Sequence, residues 1–252
     1  EMLLHHLLQC RRILTMHEGL RWQDIKRYGI PIYRRLNDEI TAFELTGKKH
    51  THSIYAGLVG MQQMQGGLTL NYSTNLTIGK LGLDSAYTRV LGALNHTEEG
   101  SYLKLEADAT AVQRIGNMTD FLFKLSGQMA SRNLDSSEEF YLGGPNGVRA
   151  YAQGEGAGDE GILATAELRY HTPVRGLTFS TFYDVGSVRK SRAPLSEDNA
   201  ITLRGWGLAA AYNNPGDWFA RVDYARRIGL DESVSAKNNA RNRVWFMAGK
   251  IW

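Results

Sequence analysis

The sequence predicts an all-β chain, an antiparallel transmembrane β-barrel, and three observations carry that prediction. From about Ile30 onward, segments of about ten residues alternate apolar and polar side chains with a period of two, which is a sheet pattern rather than a helix pattern. The connections between segments alternate between short turns and long polar loops, as in a barrel with tight turns on one side of a membrane and external loops on the other. Aromatic residues gather toward segment ends, where a membrane interface favours them. No run of about 18 apolar residues occurs that could form a transmembrane helix, and barrel strands need none.

The first 28 residues stand apart. Leu3, Leu4, Leu7, Leu8, Ile13 and Leu14 have a helix-like spacing interrupted by His5, His6, Arg11 and Arg12, so an amphipathic helix and a frayed terminus both stay open. The two histidines are adjacent rather than one helical turn apart, which argues against a metal site. Glu1 to Leu4 lack the ordered regions of a signal peptide, so an exported protein is expected to begin upstream. Residues 1–28 are left unassigned, and 29–252 are read as one barrel portion.

Candidate strands lie near 30–41 and 50–63. The next pairs Leu68, Leu70 and Tyr72 with polar Thr69, Asn71 and Ser73. Leu103, Leu105, Ala107, Ala109 and Ala111 then alternate with Lys104, Glu106, Asp108 and Thr110, and after the turn Ile115-Gly116-Asn117 come Phe121, Phe123 and Leu125. Beyond a glycine-rich stretch, five clearer segments follow, centred on Ile162–Tyr170, Leu177–Val185, Trp206–Tyr212, Trp218–Tyr224 and Val244–Ala248. The total is about ten strands. Trp206, Tyr212, Trp218, Tyr224, Trp245 and Trp252 are read as an interfacial girdle, and Phe246 with the terminal Trp252 as the signature of a closing strand, although Lys250 departs from it.

Composition removes several function classes. A formal net charge of +3 with scattered basic residues does not point to nucleic acid. Cys10 is the sole cysteine, which excludes an internal disulfide framework and a cysteine-based zinc site.

The stretch Phe140 to Gly161 is rich in glycine, but Pro145, three aromatics and Arg149 lie within it, so it is not a flexible linker. Glycine lets the backbone approach closely, and such a loop can fold compactly into a narrow space. It cannot be a phosphate loop, because no Gly-Lys-Ser/Thr follows and it leads to a strand rather than a helix. Glu155, Asp159 and Glu160 lack calcium-loop spacing and are read as solvated loop charges. No Gly-x-Ser-x-Gly elbow is present, so no catalysis, metal or cofactor is expected. If the apolar faces meet lipid, Asp184 and Glu167 point inward. Arg149, a planar fork suited to bidentate carboxylate pairing, is then expected to contact Asp184 first and Glu167 second.

The run Gly143-Gly144-Pro145-Asn146-Gly147-Val148-Arg149-Ala150-Tyr151, followed by Gly154-Glu155-Gly156, resembles the lumenal loop of two-partner secretion transporters, whose pattern is Val-Arg-Gly-Tyr. Here Ala150 replaces the glycine. Phe182-Tyr183-Asp184-Val185-Gly186 is similar to the family's Phe-x-Asp-x-Gly strand motif, which brings in Phe182 and Gly186 beside Asp184 and Glu167. The resemblance, from about residue 33 to 252, implies the C-terminal part of a sixteen-strand barrel, with the loop (132–160) folded into the lumen and fastened by its arginine. It implies a bacterial outer-membrane location and secretion of a large exoprotein such as a hemolysin, adhesin or contact-dependent toxin. The implied partners are that exoprotein, outer-membrane lipid and the barrel assembly machinery during biogenesis. The first six strands and the periplasmic domains would lie outside this chain. An insertase of the same superfamily is the alternative, with a plain porin third. For the Arg149 pair, simple fastening of the loop and a role in gating stay open.

Overall fold

Alternation with a period of two sends successive side chains to opposite faces, so each such segment can present one face to lipid and the other inward. The structure, a computed structural model, describes residues 33–34, 44–45, 49–83, 99–191, 199–214, 217–229 and 240–250. In chain order its strands are β1 (Tyr33–Arg34), β2 (Glu44–Leu45), β3 (Lys49–Met64), β4 (Leu68–Leu83), β5 (Gly100–Arg114) and β6 (Thr119–Ala130). There follow β7 (Phe140–Tyr141), β8 (Ala157–Gly158), β9 (Glu160–His171), β10 (Leu177–Arg189), β11 (Ala200–Asn213), β12 (Trp218–Arg227) and β13 (Asn242–Lys250). Nine of them form one antiparallel sheet in the order β13-β12-β11-β10-β9-β6-β5-β4-β3, while β1–β2 and β7–β8 are separate two-stranded ladders.

About ten strands are expected from the sequence. The candidate near 30–41 falls outside the described residues apart from Tyr33–Arg34, as do residues 1–28, with His5, His6 and Cys10, and the terminal Trp252. Loop asymmetry is present in full. Connections β3–β4, β5–β6, β9–β10 and β11–β12 take three to five residues, and those at the opposite end of the sheet take ten to twenty-nine.

The faces are inverted relative to a water-soluble sheet. Ile54, Leu58, Leu76, Leu105, Phe123, Ile162, Leu168, Phe179, Leu208, Val222 and Phe246 are exposed on one face. Lys104, Ser126, Gln128, Glu167, Asp184 and Asp223 are buried on the other. Water would reverse that arrangement, and a continuous apolar surface of this extent requires a lipid solvent.

Sheet register is pinned by aromatic rings laid across glycines. Tyr72 lies over Gly60, Tyr102 over Gly79, Phe182 over Gly207 and Phe219 over Gly249, each ring on the residue directly opposite its own. A Cβ at Gly249 would sit 2.6 Å from the Phe219 ring, so the glycine leaves room that the aromatic fills. The main apolar core joins Leu142, Val148, Ala150 and Tyr151 of segment 131–159 to Leu163, Phe182, Val188, Ile201, Leu203, Ala209 and Ala225 of the wall.

Candidate functional site

Segment 131–159 leaves the sheet at its long-loop end and folds back onto the inner face. Its two arms pair as β7 and β8. Leu142 N donates to Gly156 O at 2.9 Å, Gly143 N to Glu155 O at 2.8 Å and Val148 N to Leu142 O at 2.7 Å, so the backbone groups bond within the loop before it touches the wall. Gly156 has φ +69° and a Cβ there would meet Leu203 at 3.0 Å, which reserves the position for glycine. Pro145 and Asn146 form the outer bend. Gly143, Gly144, Gly147, Val148, Ala150 and Tyr151 are buried.

Arg149 is the centre of the tip. Its Nε donates to Asp184 Oδ2 and its Nη2 to Asp184 Oδ1, both at 2.9 Å, a bidentate fork, and its backbone N donates to Asp184 Oδ2 at 3.1 Å. Nη1 donates to Glu167 Oε2 at 3.2 Å and to Asp223 Oδ1 at 3.1 Å. The guanidinium stacks on Phe182, with its carbon 3.2 Å from the ring centroid. Thr165 Oγ1 donates to Asp184 Oδ1 at 2.9 Å, and Asp184 has no exposed surface.

Two wall cations share the outer carboxylates. Arg169 Nε donates to Glu167 Oε1 at 2.9 Å, and Arg221 Nη2 to Asp223 Oδ1 at 2.7 Å. Asp184 has neither of them, so among the described residues its charge is matched by Arg149 alone. The wall accommodates the tip through glycines: a Cβ at Gly186 would lie 2.5 Å from Leu142 Cδ2, and one at Gly205 would lie 2.6 Å from the Ala150 Cβ. In Phe182-x-Asp184-x-Gly186, one inward row thus stacks on the arginine, pairs with it and clears space for Leu142.

Two further groups hold the tip by its carbonyls. Trp245 Nε1 of β13 donates to Arg149 O at 2.7 Å, and Arg227 Nε of β12 donates to Ala150 O at 3.3 Å while its guanidinium lies 4.5 Å from the Tyr151 ring. Trp245 is therefore not part of an outward girdle; its odd position in β13 turns the indole inward. Glu155 and Asp159 also differ from the solvated charges expected of them. Both are buried, Asp159 Oδ1 accepting from Leu134 N at 2.8 Å and Glu155 Oε2 from Ala152 N at 2.9 Å, because in a loop pressed against a wall they bond the loop's own backbone. Phe246 lies on the outward face, away from the tip, where it is exposed.

The arm leading to the tip is fastened differently. Lys49 of β3 bonds Asp135, Lys104 Nζ of β5 donates to Glu138 Oε2 at 2.7 Å, and Gln128 Nε2 of β6 donates to Glu138 O at 2.9 Å. Burial pushes the Asp135 carboxyl up, but Lys49 and Ser137 outweigh it and hold the group below its ordinary range. Between the tip and the wall is a cavity of about 710 Å³ lined by Lys124, Gln153, Glu167, Arg169, Arg221 and Trp245.

The sequence reading names neither Asp223 as a partner of Arg149 nor Trp245, assigned to the girdle, as an inward residue. Both occupy odd positions, the inward set in β12 and β13, and that parity was the available signal.

The model for the haemolysin secretion/activation protein ShlB/FhaC/HecB matches residues 33–212, most of the chain, stopping short of Asp223 and Trp245. The heme/hemopexin transporter protein HuxB of Haemophilus influenzae is 25% identical over 221 residues, covering 84% of this chain and 38% of the relative. Its counterpart in strain 86-028NP is 24% identical. CdiB from Escherichia coli shares the fold with a TM-score of 0.61 at 15% identity, covering 87% of this chain and 40% of that one. The chain thus spans about two fifths of the length of the proteins it matches. With its lipid-ready outward face, it is an outer-membrane barrel portion, and it belongs to the haemolysin secretion/activation protein family ShlB/FhaC/HecB.

Proposed function

We propose that this chain is the C-terminal barrel portion of an outer-membrane translocator that secretes a large partner exoprotein by two-partner secretion, with 131–159 as its lumenal loop. The observation that carries the reading is the docked tip: one arginine bonded to three inward carboxylates, in a wall whose opposite face suits lipid. A polypeptide in transit needs a wet passage, and a loop that closes the passage must leave it without unfolding the sheet. The fastening is mixed: its charges and hydrogen bonds can exchange with water and substrate, while the apolar contact of Leu142, Val148, Ala150 and Tyr151 with the wall is what undocking exposes. On this reading the partners are the exoprotein, outer-membrane lipid and, during biogenesis, the barrel assembly machinery, and the protein is not an enzyme.

Arg149→Ala in the full-length transporter, co-expressed with its cognate exoprotein, is the test. The variant should reach the outer membrane with a normal heat-modifiable band while the exoprotein in the medium falls sharply. Undiminished secretion overturns the role assigned to the loop. A general defect in outer-membrane proteins after depletion of the wild type would move the assignment to the insertase class.

A further inference from the structure

The outward face carries charge of essentially one sign. Among the described strands of the large sheet it presents Lys80, Arg189, Arg204, Arg226 and Lys250, against one carboxylate, Glu160, which bonds Arg189 at 3.0 Å. The inward face holds Glu106, Asp108, Asp120, Glu167, Asp184 and Asp223. Arg204 and Arg226 are exposed, and among the described residues neither guanidinium has a carboxylate partner.

Their depth is set by register. Tyr212 and Trp218 stack at the short-turn end with ring centroids 4.8 Å apart, the position of an interfacial aromatic pair. Arg204 lies eight residues from Tyr212 along β11, and Arg226 eight from Trp218 along β12. At about 3.3 Å per residue and a tilt of about 40°, that is about 20 Å along the membrane normal, within an apolar band about 25 Å tall. Trp206 stands between them, directly opposite Arg226 and two residues from Arg204, and Tyr183 lies opposite Trp206 on the other side. Ile228 N bonds Arg204 O at 3.0 Å, so the two arginines are diagonal neighbours across a paired ladder. Lys80 is twelve residues beyond the start of β4, about 30 Å along the normal at the same tilt and beyond the height of the band.

A guanidinium held at the edge of hydrocarbon needs an anion, and among the described residues none serves. The long connections put these residues on the external side, and a planar fork beside an indole suits a phosphate oxygen lying at the top of acyl chains. We propose that Arg204 and Arg226, flanking Trp206, bind a phosphate group of an outer-leaflet phosphoglycolipid of lipid A chemistry. The inference rests on the outer-membrane barrel reading and names the lipid that this part of its surface selects.

The full-length protein, as wild type, Arg204→Gln/Arg226→Gln and Lys80→Gln, would be purified from outer membranes in mild detergent and its retained glycolipid quantified by mass spectrometry. Rebinding would use nanodiscs containing bisphosphorylated lipid A or its dephosphorylated form, with inorganic phosphate as competitor. At about fivefold per arginine, the double variant should retain about twenty-fivefold less phosphorylated glycolipid, and Lys80→Gln should match the wild type. Dephosphorylated lipid A should bind poorly, and inorganic phosphate at the same concentration should not displace the lipid. Equal retention by the double variant, an equal loss in Lys80→Gln, indifference to dephosphorylation, or full displacement by inorganic phosphate would each overturn the proposal. If the double variant does not insert, the dephosphorylation and competition arms on the wild type decide alone. Absence of the wild type from the outer-membrane fraction would defeat the barrel reading itself, whereas normal fractionation without arginine-dependent lipid defeats this inference only.

Discussion

The tip of segment 131–159 and the arm that leads to it are held to one sheet by the same kinds of group in different surroundings. At the tip, the Arg149, Glu167 and Asp184 side chains are 6%, 5% and 0% exposed; in the arm, Lys49 is 42% and Glu138 24% exposed. Each arm pair keeps one member in reach of water, so Lys49 or Glu138 can replace a lost partner with water although Asp135 and Lys104 are themselves 5% and 8% exposed; Asp184 cannot. A buried pair adds little net stability while intact and costs much when halved, whereas an exposed pair contributes little either way. The arm therefore guides the loop, and the tip decides whether it is docked.

The largest expected effect tests that contrast directly. Arg149→Ala leaves Asp184 with only two neutral donors, Thr165 Oγ1 and the backbone N–H of residue 149, and should weaken docking by about 3 to 5 kcal/mol, because a buried carboxylate loses its counter-charge. Glu167 and Asp223 keep Arg169 and Arg221, so the damage is concentrated at Asp184. Adding Asp184→Ala to Arg149→Ala should then restore part of the docking, read as protease resistance of the loop in intact outer membranes. A double variant more sensitive than Arg149→Ala would mean that the two residues do not act as a pair.

Overpacking comes next. Gly205→Val places a Cβ where Ala150 already lies 2.6 Å away, and should lift the tip at a cost of about 1 to 3 kcal/mol without disturbing the arm. Protease cleavage near Gln153 should rise while cleavage near Ser136 does not. Equal cleavage at both would show that the two regions move as one body.

Much of this arrangement was legible in the sequence, because membrane barrels write their sidedness in parity. Asp184 and Glu167 stand out as charges in the polar half of clean alternations, and the glycine-rich stretch with one arginine supplies their complement. Asp223 had the same signal, but Asp184 and Glu167 already answered Arg149 and left no reason to seek a third carboxylate. Trp245 was assigned to the girdle on residue type, since an aromatic near a strand end fits a membrane interface, and only its odd position marks it as inward. The burial of Glu155 and Asp159 was not legible, because sequence spacing does not say that a loop's return arm is pressed against a wall.

Trp245 gives a smaller and more specific test. Trp245→Phe keeps an inward ring but removes the Nε1 donor to Arg149 O, and should cost about 1 kcal/mol, a partial loosening of the tip. Because β13 is the strand that carries this donor, the loop's position is tied to the last strand of the sheet. Indole fluorescence is crowded by four other tryptophans, so the comparison should be made on loop protease resistance, with Trp218→Phe as the control that changes nothing at the tip. Similar losses in the two variants would assign the effect to strand stability rather than to the carbonyl contact.

The smallest effect belongs to the arm. Asp135→Asn removes the charge that faces Lys49 and should cost no more than about 1 kcal/mol, since Lys49 is partly in water. The folded Asp135 carboxyl lies below its ordinary value, so its contribution is complete above the unfolded value, about 4, and is lost only as pH falls through the lower folded value. Cleavage near Ser136 should stay flat from pH 7 to about 4.5 and rise below about 4 in the wild type, with that rise much reduced in Asp135→Asn. A rise already at pH 6 would place the responsible group elsewhere.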